Sequence, residues 1–241
     1  MRQGYGDYCP IAMGAEIFAE RWTPLIVRNL HLGARTFTDI HGGIPRMSRT
    51  LLAQRLVSLE RDGVVERRPR PTGRGATYAL TPAGQELAEV CLALGTWGAR
   101  WLDVSPRHAD PAVMLWGWAH VIDRDRLPAR RIVVRFDIAG WRERRAWMLL
   151  HRDDVELCIR PPGLDEDLVV TADVDTLARM HNGPLTVTGA IRAGLCTVTG
   201  PADLVHAFPG WGGKSPFAHV PSVRSSSAYP AEGPPVTTRG A

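Results

Sequence analysis

Between Arg46 and Arg74 the chain carries eight arginines against only Glu60, Asp62 and Glu66, a local net charge of +5, while the rest of the 241 residues nearly cancels. Guanidinium groups at that density neutralise phosphate, and their paired N–H donors read base edges. Helix-start hydroxyls and backbone N–H groups suit phosphate as well. The residues expected to make such contacts are Arg35, Thr36, Arg46, Ser48, Arg49, Thr50, Gln54, Arg68, Arg70 and Arg74. A second candidate is Cys9, directly before Pro10, where a helix dipole favours the reactive thiolate. The plain alternative is a packed cysteine kept for its size. A third is apolar: Trp116, Phe136, Trp147, Leu149, Met180 and Trp211 are expected to line a pocket for a hydrophobic small molecule, the alternative being ordinary core. Burying about 300 Å² of such a ligand contributes roughly 7 kcal/mol before association costs, enough for micromolar sensing without charged anchors.

Other chemistries lack support. Gly213-Lys214-Ser215 looks like the end of a phosphate-binding loop, but the glycine required five residues earlier is Phe208, and Pro216 stands where a helix should continue. There is no G-x-S-x-G and no H-E-x-x-H, and the eight histidines show no ligand-type spacing. Asp165-Glu166-Asp167 reads as a solvated turn. No catalytic residue, metal or cofactor is expected. Cys9, Cys91, Cys158 and Cys196 form no C-x-x-C pair, which suits a reducing compartment. Met1–Tyr8 is polar, and no apolar run approaches the ~20 residues of a membrane span, so a cytoplasmic location without membrane association is expected.

The elements that must position the arginines follow from punctuation. Pro10–Glu20 has Ile11, Ala15 and Phe18 at helical spacing, and Thr23-Pro24 opens a helix that Gly33 ends. Thr36-x-x-Asp39 resembles a capping box. Ser48 caps a helix running to Asp62, whose Leu52, Leu56 and Leu59 must face a core. Val64–Glu66 and Thr77–Leu80 make a hairpin with a basic tip at 67–75, and Thr81-Pro82 starts a long helix. Helix, turn, helix, two-stranded wing, helix is the order of a winged helix-turn-helix.

These residues resemble the HxlR family of bacterial transcription regulators. The resemblance lies in Tyr8-Cys9-Pro10-Ile11, Arg21-Trp22-Thr23, Leu25-Ile26, Phe37-x-x-Ile40, Gly43-Ile44-Pro45, Ser48-x-x-x-Leu52-x-x-Arg55-Leu56-x-x-Leu59-Glu60-x-x-Gly63, Tyr78-x-Leu80-Thr81-x-x-Gly84 and Trp97-Gly98-x-x-Trp101. It covers nearly all of 5–102. It implies a homodimer joined through the N- and C-terminal helices of the DNA-binding domain, on a palindromic double-stranded operator. Some regulators of that family use a cysteine at the Cys9 position as an oxidant or electrophile sensor, a role the resemblance therefore opens for Cys9.

Beyond Ser105-Pro106 the pattern changes. His108–Val121 reads as a helix, and Arg131–Ile138, Ala146–Leu150, Val155–Ile159, Leu168–Ala172 and Leu195–Thr199 read as strands. Helices are expected at Asp173–Met180, Val187–Ala193 and Pro201–Phe208. Asp167–Ala178, Gly183, Ala190-Ile191, Gly194 and Val198-x-Gly200 resemble the sterol-carrier-protein-2 (SCP2) superfamily, which implies an α/β fold around an apolar cavity. The fold class is therefore α+β: a winged helix-turn-helix domain (1–105), an SCP2-like domain with a mostly antiparallel sheet (106–221) and a Ser/Pro/Gly-rich disordered tail (222–241). The expected function is a transcription regulator, with repression preferred, modulated by a hydrophobic small molecule in the C-terminal domain. A redox regulator acting through Cys9 and a ligand-sequestering protein with autoregulatory DNA binding are the alternatives.

Overall fold

Hydroxyl N-caps set most of the N-terminal half. In the computed structural model, which describes residues 5, 8–70, 75–102 and 110–223, Thr36 Oγ1 accepts from the Asp39 N–H (3.2 Å), Ser48 Oγ from Leu51 N (3.2 Å) and Thr81 Oγ1 from Gly84 N (3.1 Å). The elements are α1 (Pro10–Phe18), α2 (Thr23–His31), α3 (Phe37–Gly42), α4 (Arg49–Arg61), β1 (Val65–Pro69), β2 (Ala76–Leu80) and α5 (Pro82–Trp101). Gly63, at φ +72°, takes the left-handed turn that releases α4 into the wing. Leu52, Leu56 and Leu59 of α4 are buried with Ile26, Val27 and Leu30 of α2 and Ile40 of α3. Arg74, the junction at 105/106 and the tail beyond 223 lie outside the described residues.

The second half begins with α6 (Pro111–His120) and builds one five-stranded sheet from β3 (Ile132–Ala139), β4 (Arg145–Leu150), β5 (Val155–Cys158), β6 (Leu168–Asp173) and β7 (Cys196–Thr199). Helices α7 (Val174–Asn182), α8 (Val187–Arg192) and α9 (Ala202–Ala207) complete it. The strand order is β5-β4-β3-β6-β7; β3 and β6 are parallel and the other three pairings antiparallel. Alternation decides which side chains meet. Phe136 and its neighbours Val134 and Ile138 face the helices with Met148 and Val170, forming the main core. Val133, Trp147 and Leu149 cluster apart from that core.

The halves are bolted together by α6. Met114, Leu115 and Trp118 belong to the sheet's core, whereas Trp116 is buried in the N-terminal one. Among the described residues no helix is long and apolar enough to cross a membrane.

Candidate nucleic-acid interface

The N-terminal half of α4 and the residues leading into it present their polar side chains to solvent. Arg46, Ser48, Arg49, Thr50 and Gln54 are all exposed. Arg46, Thr50 and Gln54 have no intramolecular side-chain partner among the described residues, and the Arg49 guanidinium rests over the Phe37 ring, 5.5 Å from its centroid. Backbone N–H groups of this first turn add a partial positive charge at the same end. The arrangement can hold phosphate at the helix start and send Arg49 and Gln54 to base edges.

The two remaining candidates before α4 are committed to the fold. Arg35 Nη1 donates to the Leu30 (2.8 Å) and Ala34 (3.1 Å) carbonyls and so caps the end of α2. Thr36 caps α3. Arg55, also in the basic run, pairs with Glu20 at 2.6 Å and ties α4 to the end of α1.

The wing differs from the expected loop. Arg67 and Arg68 lie within β1, opposite Tyr78 and Thr77. Alternation then puts Glu66 and Arg68 on one face, and they pair at 2.6 Å. Arg67 points the other way, and both it and Arg70, beyond the strand end, are exposed and without an ion pair among the described residues. The expectation that the hairpin strand ends at Glu66 overlooked that Pro69 is tolerated at its last position.

The six apolar candidates do not converge. Phe136, Met180 and Trp211 are packed in the main core, and Trp147 and Leu149 sit in the separate cluster, where Trp147 Nε1 donates to Glu166 Oε1 (3.0 Å). Phe136 stands opposite Ala146 and the next residue along β4 is Trp147, so strand alternation sends the two rings to opposite faces. Trp116 alone of the six lines the cavity of about 410 Å³ between the two halves. Its indole Nε1 donates to the Asp39 carbonyl (3.0 Å) and Oδ1 (3.1 Å), and its ring stacks on His120 at 4.0 Å. His120 Nδ1 donates to Trp116 O (2.8 Å) and Nε2 lies 3.2 Å from Asp39 Oδ1. Burial opposes the Asp39 charge, but the His120 and Trp116 hydrogen bonds outweigh it and hold the carboxyl below its ordinary value. This link and the cavity were missed by sequence reasoning, because residues 77 or more positions apart carry no local signal of contact.

Cys9 sits at the N-cap of α1, half-buried, with no side-chain hydrogen bond to the helix. Burial pushes the Cys91, Cys158 and Cys196 thiols up to about 11.

Residues 17–106 match the HxlR-like helix-turn-helix family. The chain is 35% identical over 101 residues to the HTH-type transcriptional regulator YvaP of Bacillus subtilis, covering 41% of this chain and 94% of that protein. It is 35% identical over 91 residues to YodB of the same organism, covering 37% and 81%. The solved reduced form of YodB aligns with a TM-score of 0.34 at 33% identity, over 38% of this chain and 92% of that one. The chain belongs to the HxlR-like helix-turn-helix family.

Proposed function

We propose that the protein is a homodimeric transcription regulator, a repressor, that reads a palindromic operator with one α4 per half-site and is modulated by an apolar small molecule held against its C-terminal half. The exposed side chains at the start of α4 carry the DNA reading: a helix start where Arg46, Thr50 and Gln54 have no side-chain partner among the described residues is built to meet another molecule. The dimer reading rests on apolar side chains left in solvent. Ile11 and Met13 of α1 and Val90, Leu94, Trp97 and Trp101 of α5 are all exposed, the last four at i, i+4, i+7 and i+11 along one stripe. The SCP2 resemblance of the second half supports an apolar effector.

Selection from a random DNA library tests it. A palindromic sequence should be enriched, bound by a dimer in sedimentation, and Arg49→Ala should abolish the enrichment. Binding without sequence preference would remove the operator from this reading.

A second reading is favoured by the thiols. Three of the four are held protonated by burial, which leaves Cys9 as the candidate for oxidant or electrophile sensing.

A further inference from the structure

The cavity between the halves is a largely apolar space whose wall holds, among the described residues, a guanidinium that no carboxylate pairs with. It is enclosed by α2, α5, α6, the end of α7 and the segment 215–217, with Leu25, Leu32, Leu92, Val113 and Phe217 supplying apolar surface. Arg28, His31, His181, Asn182 and Ser215 supply the polar part of the wall, and Arg28 is its permanently charged group. Its Nε and Nη2 donate to Asn29 Oδ1 (3.0 and 2.8 Å), Nη2 also donates to Gly43 O (2.9 Å), and its Cζ lies 5.9 Å from the Trp116 ring centroid. All of these partners are neutral. Among the described residues no carboxylate pairs with Arg28, and Nη1 has no partner. Among the described residues Cys91 is the titratable group that acts on it, and burial holds that thiol protonated. A partly desolvated guanidinium without a counter-charge is costly, and the partner that would relieve the cost is an anion.

We propose that this cavity is the effector site and that its ligand is a small apolar carboxylate, its ring or chain on the leucines and Phe217 and its anionic head on Arg28. The assignment rests on the reading of the protein as an effector-modulated regulator and gives that effector a place and a charge. The volume suits a metabolite-sized molecule. His181 adds one polar contact: Nδ1 donates to Gly213 O (2.6 Å), which leaves Nε2 as an acceptor in the cavity wall for a hydroxyl on the same acid.

The site is wired to the DNA-reading unit. Gly43 lies in the turn between α3 and α4, and the Arg28 guanidinium holds its carbonyl. Asn29 Nδ2 donates to Ile40 O (2.8 Å), and it packs so closely that a Cβ on Gly43 would lie 2.5 Å from it. A carboxylate that draws Arg28 away competes with Gly43 O and frees the turn that aims α4. By reciprocity, operator and acid then change each other's affinity by one factor.

The test is calorimetric titration of the DNA-free, full-length protein with 2-naphthoate and its uncharged methyl ester. The acid should bind at least about tenfold more tightly than the ester, the scale of one charge-assisted hydrogen bond. Arg28→Met should bring the acid down to the ester's affinity, and Val113→Trp, which fills the cavity from α6, should abolish binding of both. Equal affinity for acid and ester, an acid affinity indifferent to Arg28→Met, or no binding of either probe would overturn the proposal. The acid-to-ester ratio of the wild-type protein decides even if Arg28→Met fails to fold. Because no DNA is present, naphthoate binding by a protein that selects no operator would uphold the site and remove the regulator reading. An operator affinity unchanged by saturating naphthoate would overturn the wiring through Gly43.

Discussion

Trp116 belongs to the second half by sequence and to the first by packing, so truncating it should uncouple the two. Its indole is 3% exposed, buried among side chains of α2 and α3. Gly42 lets α3 approach so closely that a Cβ there would lie 3.0 Å from the ring. A side chain of this size buries about 150–250 Å², which at about 25 cal/mol per Å² is roughly 4–6 kcal/mol of transfer free energy. Trp→Ala in a packed core costs about 3–5 kcal/mol, and the indole hydrogen bond to Asp39 is part of what is lost. Trp116→Ala should therefore destabilise the protein by about 4 kcal/mol, a large part of the roughly 5–15 kcal/mol that holds a domain folded. Each half keeps its own core, so the loss falls on the joint. Urea unfolding followed by far-ultraviolet circular dichroism and by tryptophan fluorescence should give coincident transitions for the wild type and two separated ones for Trp116→Ala. Trp116→Phe retains an aromatic ring and loses the donor, so it should cost about 1–2 kcal/mol. A loss below about 1 kcal/mol with transitions still coincident would refute the reasoning, since Trp116 would then not be what joins the halves.

Four further outcomes follow from the same geometry. Arg49→Ala should weaken operator binding by about 1–3 kcal/mol while leaving random DNA much less affected, read by fluorescence anisotropy; an equal loss on both would reduce Arg49 to a phosphate contact. Arg67→Ala and Arg70→Ala should each flatten the salt dependence of binding by about 0.9 unit of slope, and Arg68→Ala by less because Glu66 competes for it. Stability should fall as pH drops below about 6.5, because burial, outweighing the Gly213 hydrogen bond, depresses the His181 pKa, so the unfolded chain takes up the proton first. His181→Gln should remove that slope in pH-dependent melting curves. Cys9→Ser should abolish any loss of DNA binding under diamide if Cys9 is a sensor, and an unchanged response would assign it to packing.

The winged unit was legible because its signals are local. Thr36, Ser48 and Thr81 cap the helices that their types and positions predict, and Leu52, Leu56 and Leu59 are buried at the spacing that requires it. The strands of the second half were legible for the same reason, through the alternation of Ile132, Val134, Phe136 and Ile138. The order of those strands was not: β6 pairs with β3 in parallel, which depends on a crossover rather than on a pattern within either strand. The apolar candidates illustrate the limit. Residue type marks Phe136 and Trp147 equally as pocket material, but register alone decides that they face apart. Arg28 drew no attention because its meaning lies in the counter-charge missing around it among the described residues, and the absence of a spatial neighbour leaves no trace in a sequence.

Two contacts from the second half and the cavity end on the same short stretch. Trp116 and His120 hold Asp39 in α3, while Arg28 in the cavity wall holds Gly43 at the end of that helix. Both therefore act on α3 and the turn before α4, rather than on the exposed stripe of α5 through which the proposed dimer would form. Coupling of about 1–3 kcal/mol is typical of regulation, and one or two charge-assisted hydrogen bonds supply it. It follows that the two contacts should be separable by mutation. Asp39→Asn removes the carboxylate that faces His120 and should change operator affinity in the absence of any acid. Asp39 is held ionised by that pair, so the wild-type link persists as pH falls through the ordinary carboxylate range and is lost only below it. In Asp39→Asn this acid-induced change in operator affinity should be absent, while the acid-to-ester preference of the cavity stays as in the wild type. Loss of that preference in Asp39→Asn would show one continuous network instead of two routes, with α3 as its shared lever.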